Sequence, residues 1–340
     1  MTEIADGRHI DVLKPEYFRL DSNGLLTQLN ANFACNGYSD ANAALIKAHS
    51  SQQFVTVSGS IAGITTLVSN AALMSTCIAT LVTLVKRMQF TGIELDIEDF
   101  AAWTSAQYAE YKTFVTSAGN AFHAAGLQFM LDGPAILNQT YQSYYRFKYE
   151  DFNTLPVDYL VAMCYDFMYD DGAGKPVASL STIVACCAWM QHAITNAARI
   201  VIGLNSYGYH GVTGGYSITE DTYEHSAAYT GFSSAVRDVS SGEMMWEHNG
   251  VSYNYSDAHT ISTKLQAVDA ANLSAVSIWH IGGKNPWPIQ VAAPIATPAA
   301  PTSPSTSVPV DLLLATFDAK YPGFSAWYQA HFDGQGQYHA

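Results

Sequence analysis

Phe90-Thr91-Gly92-Ile93-Glu94-Leu95-Asp96-Ile97-Glu98-Asp99 decides how this chain of 340 residues is read. Glu94, Asp96 and Glu98 alternate with Ile93, Leu95 and Ile97. Alternation with period two marks a β-strand, whose successive side chains point to opposite faces, so three carboxyl groups share one face and three aliphatic side chains the other. Carboxylates crowded on one face repel one another. At least one is expected to titrate above its ordinary value, the condition under which a carboxyl group acts as a general acid near neutral pH. An exposed amphipathic strand would alternate in the same way. The apolar strands that recur along the chain argue instead for a buried sheet, where three acids need a reason.

Outward from that stretch, strand and helix patterns alternate. Residues 9–20 (HIDVLKPEYFRL) contain strand-like stretches that run into the turn signal Asp21-Ser22-Asn23-Gly24. Residues 40–50 are expected as a helix capped by Ser39 or Asp40, and 54–60 (FVTVSGS) as a short β-branched strand. Residues 64–88 read as an Ala- and Leu-rich helix, and 104–125 as a helix with Ser105 as candidate cap and Gly126 as its stop. A strand at 127–131 closes at Asp132-Gly133-Pro134-Ala135, followed by a looser helical region, a strand at 157–165, a helix at 181–198 and a buried strand at 199–204. Residues 205–255 read as a long Tyr- and Gly-rich connection with no clear helix; then come a helix at 257–271 and a last strand at 274–280.

Strands alternating with helices at this spacing make parallel βαβ units, and nearly all-apolar strands make a sheet covered on both faces. A doubly wound sheet and a (β/α)8 barrel both satisfy this pattern. Ser58, Glu98, Asp132, Tyr165, Asp166, Tyr207 and Trp279 cluster at strand C-terminal ends, where barrels and open α/β sheets alike bind ligands. The chain has no GxGxxG or GxxxxGK[ST] loop, which argues against a nucleotide.

Composition narrows the function further. A net charge of −14 with only 15 basic residues argues against nucleic acid as a partner. Charged residues are 13% of the chain, so the surface must draw on Ser, Thr, Asn, Gln and Tyr. The 21 Tyr, 15 Phe and 6 Trp include candidates for stacking on sugar rings, although most aromatics in a large domain are core. Cys35, Cys77, Cys164, Cys186 and Cys187 form no CxxC pair, and as an odd set they read as buried free thiols. His210, His225 and His248 have no metal-ligand spacing and read as surface residues; no metal or other cofactor is expected.

The polar, acidic start Met1-Thr2-Glu3-Ile4-Ala5-Asp6 does not read as a Sec-type leader, and no uninterrupted apolar run reaches the ~18 residues of a membrane span. Residues 1–291 are expected to form the catalytic domain. Residues 292–309, rich in Pro, Ala, Ser and Thr, read as a semi-rigid linker, and 310–340 as an aromatic segment that docks on the domain or anchors it to a protein partner. The expected place of action is outside the cell, reached by another export route or as part of a particle.

The ordered strands resemble glycoside hydrolase family 18, the chitinases and their relatives. That family carries Asp-Gly-x-Asp-x-Asp-x-Glu at the end of its fourth barrel strand, and here the register reads Thr91-Gly92-Ile93-Glu94-Leu95-Asp96-Ile97-Glu98. The last two acids match, whereas Thr91 and Glu94 stand where the family has Asp. Residues 55–60 are similar to the third strand. Met163-Cys164-Tyr165-Asp166-Phe167 resembles the Met-x-Tyr-Asp motif of the sixth, 200–204 with Tyr207-Gly208 the seventh, and 275–279 the eighth with its active-site Trp.

The resemblance, over roughly residues 9–285, implies a (β/α)8 TIM barrel and retaining, substrate-assisted hydrolysis, one of the exceptions to the two-carboxylate scheme. By resemblance Glu98 protonates the glycosidic oxygen and then activates water, while Asp96 binds the acetamide N–H of the sugar. Tyr165 holds the acetamide oxygen and Trp279 floors the subsite. Asp166 supports the strand network, Glu94 supports from below or touches substrate, and Ser58 and Tyr207 are further substrate-side candidates. Trp246 and Trp287 are groove candidates, each with a core role as alternative, and Thr56 is read as packing.

The implied substrate is chitin or N-acetylglucosamine oligosaccharides. The alternatives are endo-β-N-acetylglucosaminidase action on N-glycans and a non-catalytic chitin-binding lectin or structural subunit of a larger particle; retention of both Asp96 and Glu98 favours catalysis. Only seven strands are counted, so residues 26–34, an open barrel or the C-terminal segment would account for the first one. No β-rich insertion is read before the last strand, which predicts a shallow cleft and endo-like cleavage.

Overall fold

The computed structural model describes residues 10–29 and 37–286. Six strands run parallel, each paired with the next: Glu16–Leu20, Gln52–Gly59, Gly92–Ile97, Gln128–Pro134, Tyr159–Met163 and Ile200–Asn205. Val276–Trp279 adjoins the last of them. All seven fall on the strand stretches expected from the sequence. Ile200–Asn205 is buried throughout and Gln52–Gly59 is buried from Gln53 to Val57, as a sheet covered on both faces requires.

Register fixes which side chains share a face. Phe54, Thr56 and Ser58 lie beside Gly92, Glu94 and Asp96 respectively, and Glu94 beside Met130. Lower on this face, Phe54, Met130, Val161 and Val201 form an apolar cluster, with Val12, Tyr159 and Ala275 packed against it. Gly92 makes room there: a Cβ would come within 2.8 Å of the Phe54 ring and 2.2 Å of Gln128 O. The acids above therefore stand on an apolar floor.

The helices begin where side chains satisfy free backbone N–H groups. Ser39 caps Asp40–Ala48, accepting from Asn42 N at 3.1 Å. The single helix expected over 64–88 is two, Ile61–Ser69 and Ala71–Met88, because Asn70 is extended and its side chain accepts from Leu73 N at 3.1 Å, ending one helix and starting the next. Thr104, not Ser105, caps Ser105–Ala124, in a reciprocal arrangement with Gln107. The helix expected at 181–198 is Leu180–Ala193. Ala71–Met88 is long and apolar enough by composition to cross a membrane, but it is amphipathic. Cys77, Ile78, Leu81, Val85 and Met88 are buried, while Ser75, Thr76, Thr83, Lys86 and Arg87 face outward.

Three expectations are corrected. First, Leu26–Gln28 pairs antiparallel with Glu16–Leu20, so this part of 26–34 is the return arm of a hairpin rather than a parallel barrel strand. The short turn at Asp21–Gly24 reverses the chain, whereas a parallel neighbour needs a crossover of a dozen or more residues. The rest of 26–34 beyond residue 29, together with Cys35, Trp287, the linker at 292–309 and the segment at 310–340, lies outside the described residues.

Second, the connection at 205–255 is a β-rich insertion. Ile218–Asp221, Gly208–Val212, Val251–Tyr255, Met244–His248 and Val236–Arg237 form, in that order, a five-stranded antiparallel sheet. Its strands are two to five residues long and carry Tyr, Ser, Asn and Gly, which hides their alternation. One signal was nevertheless present. Asn249-Gly250 joins two paired strands with φ of 53° and 75°, the two positive values of a type I′ hairpin turn.

Third, Cys164 and Cys186 are disulfide-bonded, whereas Cys77 and Cys187 are buried free thiols as expected. Nothing in residue spacing distinguishes the two kinds, since pairing depends on distance in the fold.

The chain forms two compact units. One comprises the chain up to Tyr165 with residues 188–204 and 275–284; the other comprises mainly residues 166–187 and 205–274. Inside the second, Lys264 and Glu243 form an ion pair with fully buried side chains. Lys264 Nζ also donates to Asn205 Oδ1 at 2.7 Å, and Glu243 accepts from Val177 N at 2.8 Å and Ala178 N at 3.1 Å, so both charges are met by hydrogen bonds.

Candidate active site

The three acids of Gly92–Ile97 and the residue after it are graded in exposure. Glu94 is 2% exposed, Asp96 is half-buried, and Glu98, one residue past the strand, is exposed. A carboxylate as deep as Glu94 requires partners. Lys14 Nζ pairs with its Oε1, and Thr56 Oγ1, directly across the register, donates to its Oε2 at 2.6 Å. Lys14 reaches it from the turn between Val12–Leu13 and Glu16–Leu20, both paired with Gln52–Gly59. Thr56, read from the sequence as packing only, is thus a hydrogen-bond donor to the buried acid.

Asp132, 6% exposed on the strand that neighbours Gly92–Ile97, interacts with Glu94. Burial and the adjacent Glu94 charge hold its carboxyl well above the usual range, against the pull of Lys14. Lys14 itself is held above the ordinary lysine value: burial opposes its charge, but Glu94, Asp132 and Asp96 outweigh burial.

Asp96 and Glu98, two residues apart on one face of the chain, interact through their carboxyl groups. Burial, then the charges of Glu98 and Glu94, push Asp96 well above the usual carboxyl range. Although Glu98 is exposed as a residue, partial desolvation of its carboxyl raises it, with Asp96 acting the other way and the Glu16 charge adding to the rise. Interacting carboxyls do not titrate independently, and their titrations belong to the pair. Asp96 Oδ1 is buried with no hydrogen-bond partner among the described residues. It is an acceptor with nothing to accept.

Ser58 stands beside Asp96 in register. Tyr165, half-buried, follows Tyr159–Met163 by two residues, its N–H donating to Met163 O at 2.9 Å. Its ring lies over Gly203, where a Cβ would come within 3.0 Å of Tyr165 Cε1. Trp279 ends Val276–Trp279, is 40% exposed and is joined to His280 by a cis peptide. Ser58, Glu94, Asp96, Glu98, Tyr165 and Trp279 therefore all belong to the first unit.

Asp166 and Tyr207 belong to the second unit, where the buried Tyr207 hydroxyl donates to Asp166 Oδ1. Trp246 is 7% exposed and stacked on Tyr253 at 4.6 Å, so the structure gives it the core role among its alternatives. His210 is not a bare surface residue: its Nδ1 lies 2.6 Å from the buried Asp221 carboxylate. Among the described residues no group of His, Cys, Asp and Glu is arranged to hold a metal ion.

Sequence reading missed Lys14 and Asp99. Lys14 had one signal, a lone cation in an apolar strand-like run directly before Pro15. Asp99 was hidden because its partners, Ile61 N and Trp103 Nε1, are fixed only by the fold.

Parallel strands that end in a pair of interacting acids fit a barrel glycosidase, and comparison with known proteins shows the family. Residues 14–283 match the family described as glycosyl hydrolases family 18, and the chain belongs to that family. No curated protein matches it significantly by sequence. Among solved structures, a chitinase from Chromobacterium violaceum superposes with a TM-score of 0.68 at 17% identity, over 83% of this chain and 89% of that one. A class V chitinase from Pseudomonas fluorescens gives 0.65 at 22% identity, over 83% and 90%. The spore cortex-lytic enzyme SleL from Bacillus cereus gives 0.65 at 15% identity, over 82% and 66%. The fold is the (β/α)8 barrel of these enzymes and the protein is a chitinase-like glycosidase.

Proposed function

We propose that the protein hydrolyses β-1,4 bonds of N-acetylglucosamine oligosaccharides with retention, the substrate's own acetamide acting as nucleophile. The observation that carries this reading is the Asp96–Glu98 pair: one partner is exposed at the strand end, and the other keeps a buried, unused acceptor oxygen. An acetamide N–H is a donor suited to Asp96 Oδ1. As it binds, ionised Asp96 becomes the better acceptor, and its proton passes to Glu98.

Glu98 then gives that proton to the glycosidic oxygen while the C1–O bond breaks. The acetamide oxygen, held by the Tyr165 hydroxyl, bonds to C1 on the opposite face and forms an oxazolinium ion, whose N–H charge is balanced by the Asp96 carboxylate. Glu98, now anionic, takes a proton from water as the water oxygen attacks C1 and the oxazolinium ring opens. Two inversions leave net retention. Trp279 offers an exposed ring face as the floor for the distorted sugar.

The test is release of fluorophore from a chitotriose conjugate, with Glu98→Gln as control and the first-formed anomer followed by proton NMR. Retained β-anomer from wild type and loss of roughly 10²–10⁴-fold or more in the variant are expected. Equal signal from both proteins overturns the assignment. The similarity to a spore cortex-lytic enzyme makes isolated spore cortex the second substrate to test.

A further inference from the structure

Two positions of the family's four-acid signature differ here, Thr91 and Glu94, and Glu94 is paired with a cation. Glu94, Asp96 and Asp132 lie on two neighbouring strands, Glu98 follows the end of the first, and Lys14 makes an ion pair with Glu94, the deepest of them. We propose that Lys14 is a positioning residue which, by neutralising Glu94 beneath Asp96, allows Asp96 to ionise when it exchanges Glu98 for the acetamide N–H.

The geometry supplies the reason. Asp96 and Glu94 are two residues apart on one strand face, so the charge on Glu94 acts directly on Asp96. With Glu94 paired to an ammonium and bonded to Thr56 Oγ1, the layer under Asp96 is an ion pair with no net charge. If the ammonium were removed, an anion would remain in a buried site, and a second anion at Asp96 would be strongly disfavoured. Asp96 would then keep the proton that Glu98 must deliver.

The other groups that face the cluster do not replace Lys14. Glu16, on Glu16–Leu20, adds negative potential at both Asp96 and Glu98. From the helix Ser105–Ala124, Tyr111 faces Asp132 and Asp96, and Tyr149 faces Asp132; burial raises both phenols well above their ordinary value, so they stay neutral. Among the described residues, Lys14 is the cation paired with this cluster.

The experiment compares Lys14→Met, Glu94→Gln and the double variant by two readouts, and its kinetic arm rests on the proposed hydrolysis. The first is the pH dependence of kcat and KM on the chitotriose conjugate; the second is titration of the Asp96 and Glu98 carboxyl carbons by 13C NMR. Glu94→Gln leaves an unpaired ammonium near Asp96 and shifts the pair's ionisation to lower pH. Lys14→Met shifts it to higher pH and, because Asp96 then retains the proton that Glu98 must deliver, lowers the pH-independent plateau of kcat by about tenfold with KM changed less than twofold.

The double variant returns the titration to within a few tenths of a unit of wild type. Shifts of the same sign in the two single variants, or no shift in either, overturn the proposal. If Lys14→Met fails to fold, Glu94→Gln against the double variant decides, because the proposal requires the second substitution to reverse the first. If wild type cleaves nothing while the carboxyls shift in opposite directions, the substrate reading fails and the role of Lys14 stands.

Discussion

Asp99 ties the loop after the acidic strand to the start of another helix: its carboxylate accepts from Ile61 N at 3.0 and 3.1 Å and from Trp103 Nε1 at 2.7 Å. Ser60, the residue at the cap position of Ile61–Ser69, makes no side-chain cap bond, so Asp99 supplies one from a distance. Glu98 sits immediately before this anchor. Asp99→Ala should cost about 1–2 kcal/mol and lower Tm by roughly 2–4 °C, with Asp99→Asn between it and wild type, as read by calorimetry.

The pH profile of hydrolysis follows from the raised Glu98. A carboxyl held above its ordinary 4.5 keeps its proton to higher pH, so with Glu98 in its proposed role as proton donor the basic limb of kcat/KM falls above pH 4.5. Glu16, which adds to the rise, gives a direct check. Glu16→Gln should move that limb toward lower pH, measured on the fluorogenic conjugate from pH 4 to 9.

Stability should fall as pH rises. Asp96 and Asp132 both titrate well above their ordinary 3.8 in the folded chain, so the folded state binds more protons than the unfolded state between 3.8 and the raised values. Stability therefore declines with rising pH through that window. Asp132→Asn removes one of the two groups, and its Tm should decline less between pH 4 and 8 than that of wild type. A parallel decline in both proteins would remove Asp132 from the account.

In the second unit, the Lys264–Glu243 pair is fully buried, and each partner has further hydrogen bonds. Lys264→Met strands the Glu243 carboxylate and should cost about 3–5 kcal/mol. Lys264→Met combined with Glu243→Gln removes both charges and should recover part of that loss. Urea melts of the single and double variants measure the difference.

Much of the barrel could be read in advance because its evidence is local. Period-two alternation placed Gly92–Ile97, apolar runs placed Ile200–Asn205, and Ser39 marked a helix start. The insertion at 208–255 escaped because its strands are short and polar on both faces, although Asn249-Gly250 was a turn signal in plain view. In the site, Glu94, Asp96 and Glu98 were visible as a pattern, and their order of depth follows from the strand direction. Lys14 lies 80 residues from its partner Glu94 and Asp99 lies 38 from Ile61; spacing along the chain does not encode such pairs. That Cys164 and Cys186 are each disulfide-bonded was illegible too, because spacing does not mark which thiols are oxidised.

The oxidised state of Cys164 bears on how the enzyme must be made and handled. Cys164 immediately precedes Tyr165, the residue proposed to hold the acetamide oxygen, so a thiol-reducing buffer acts one peptide away from Tyr165. Disulfides persist in oxidising compartments and are lost in reducing cytosol. Enzyme produced in an oxidising host and kept free of dithiothreitol is the preparation whose turnover reports on the site described here, and reductant titration provides a handle on Tyr165 that needs no mutation.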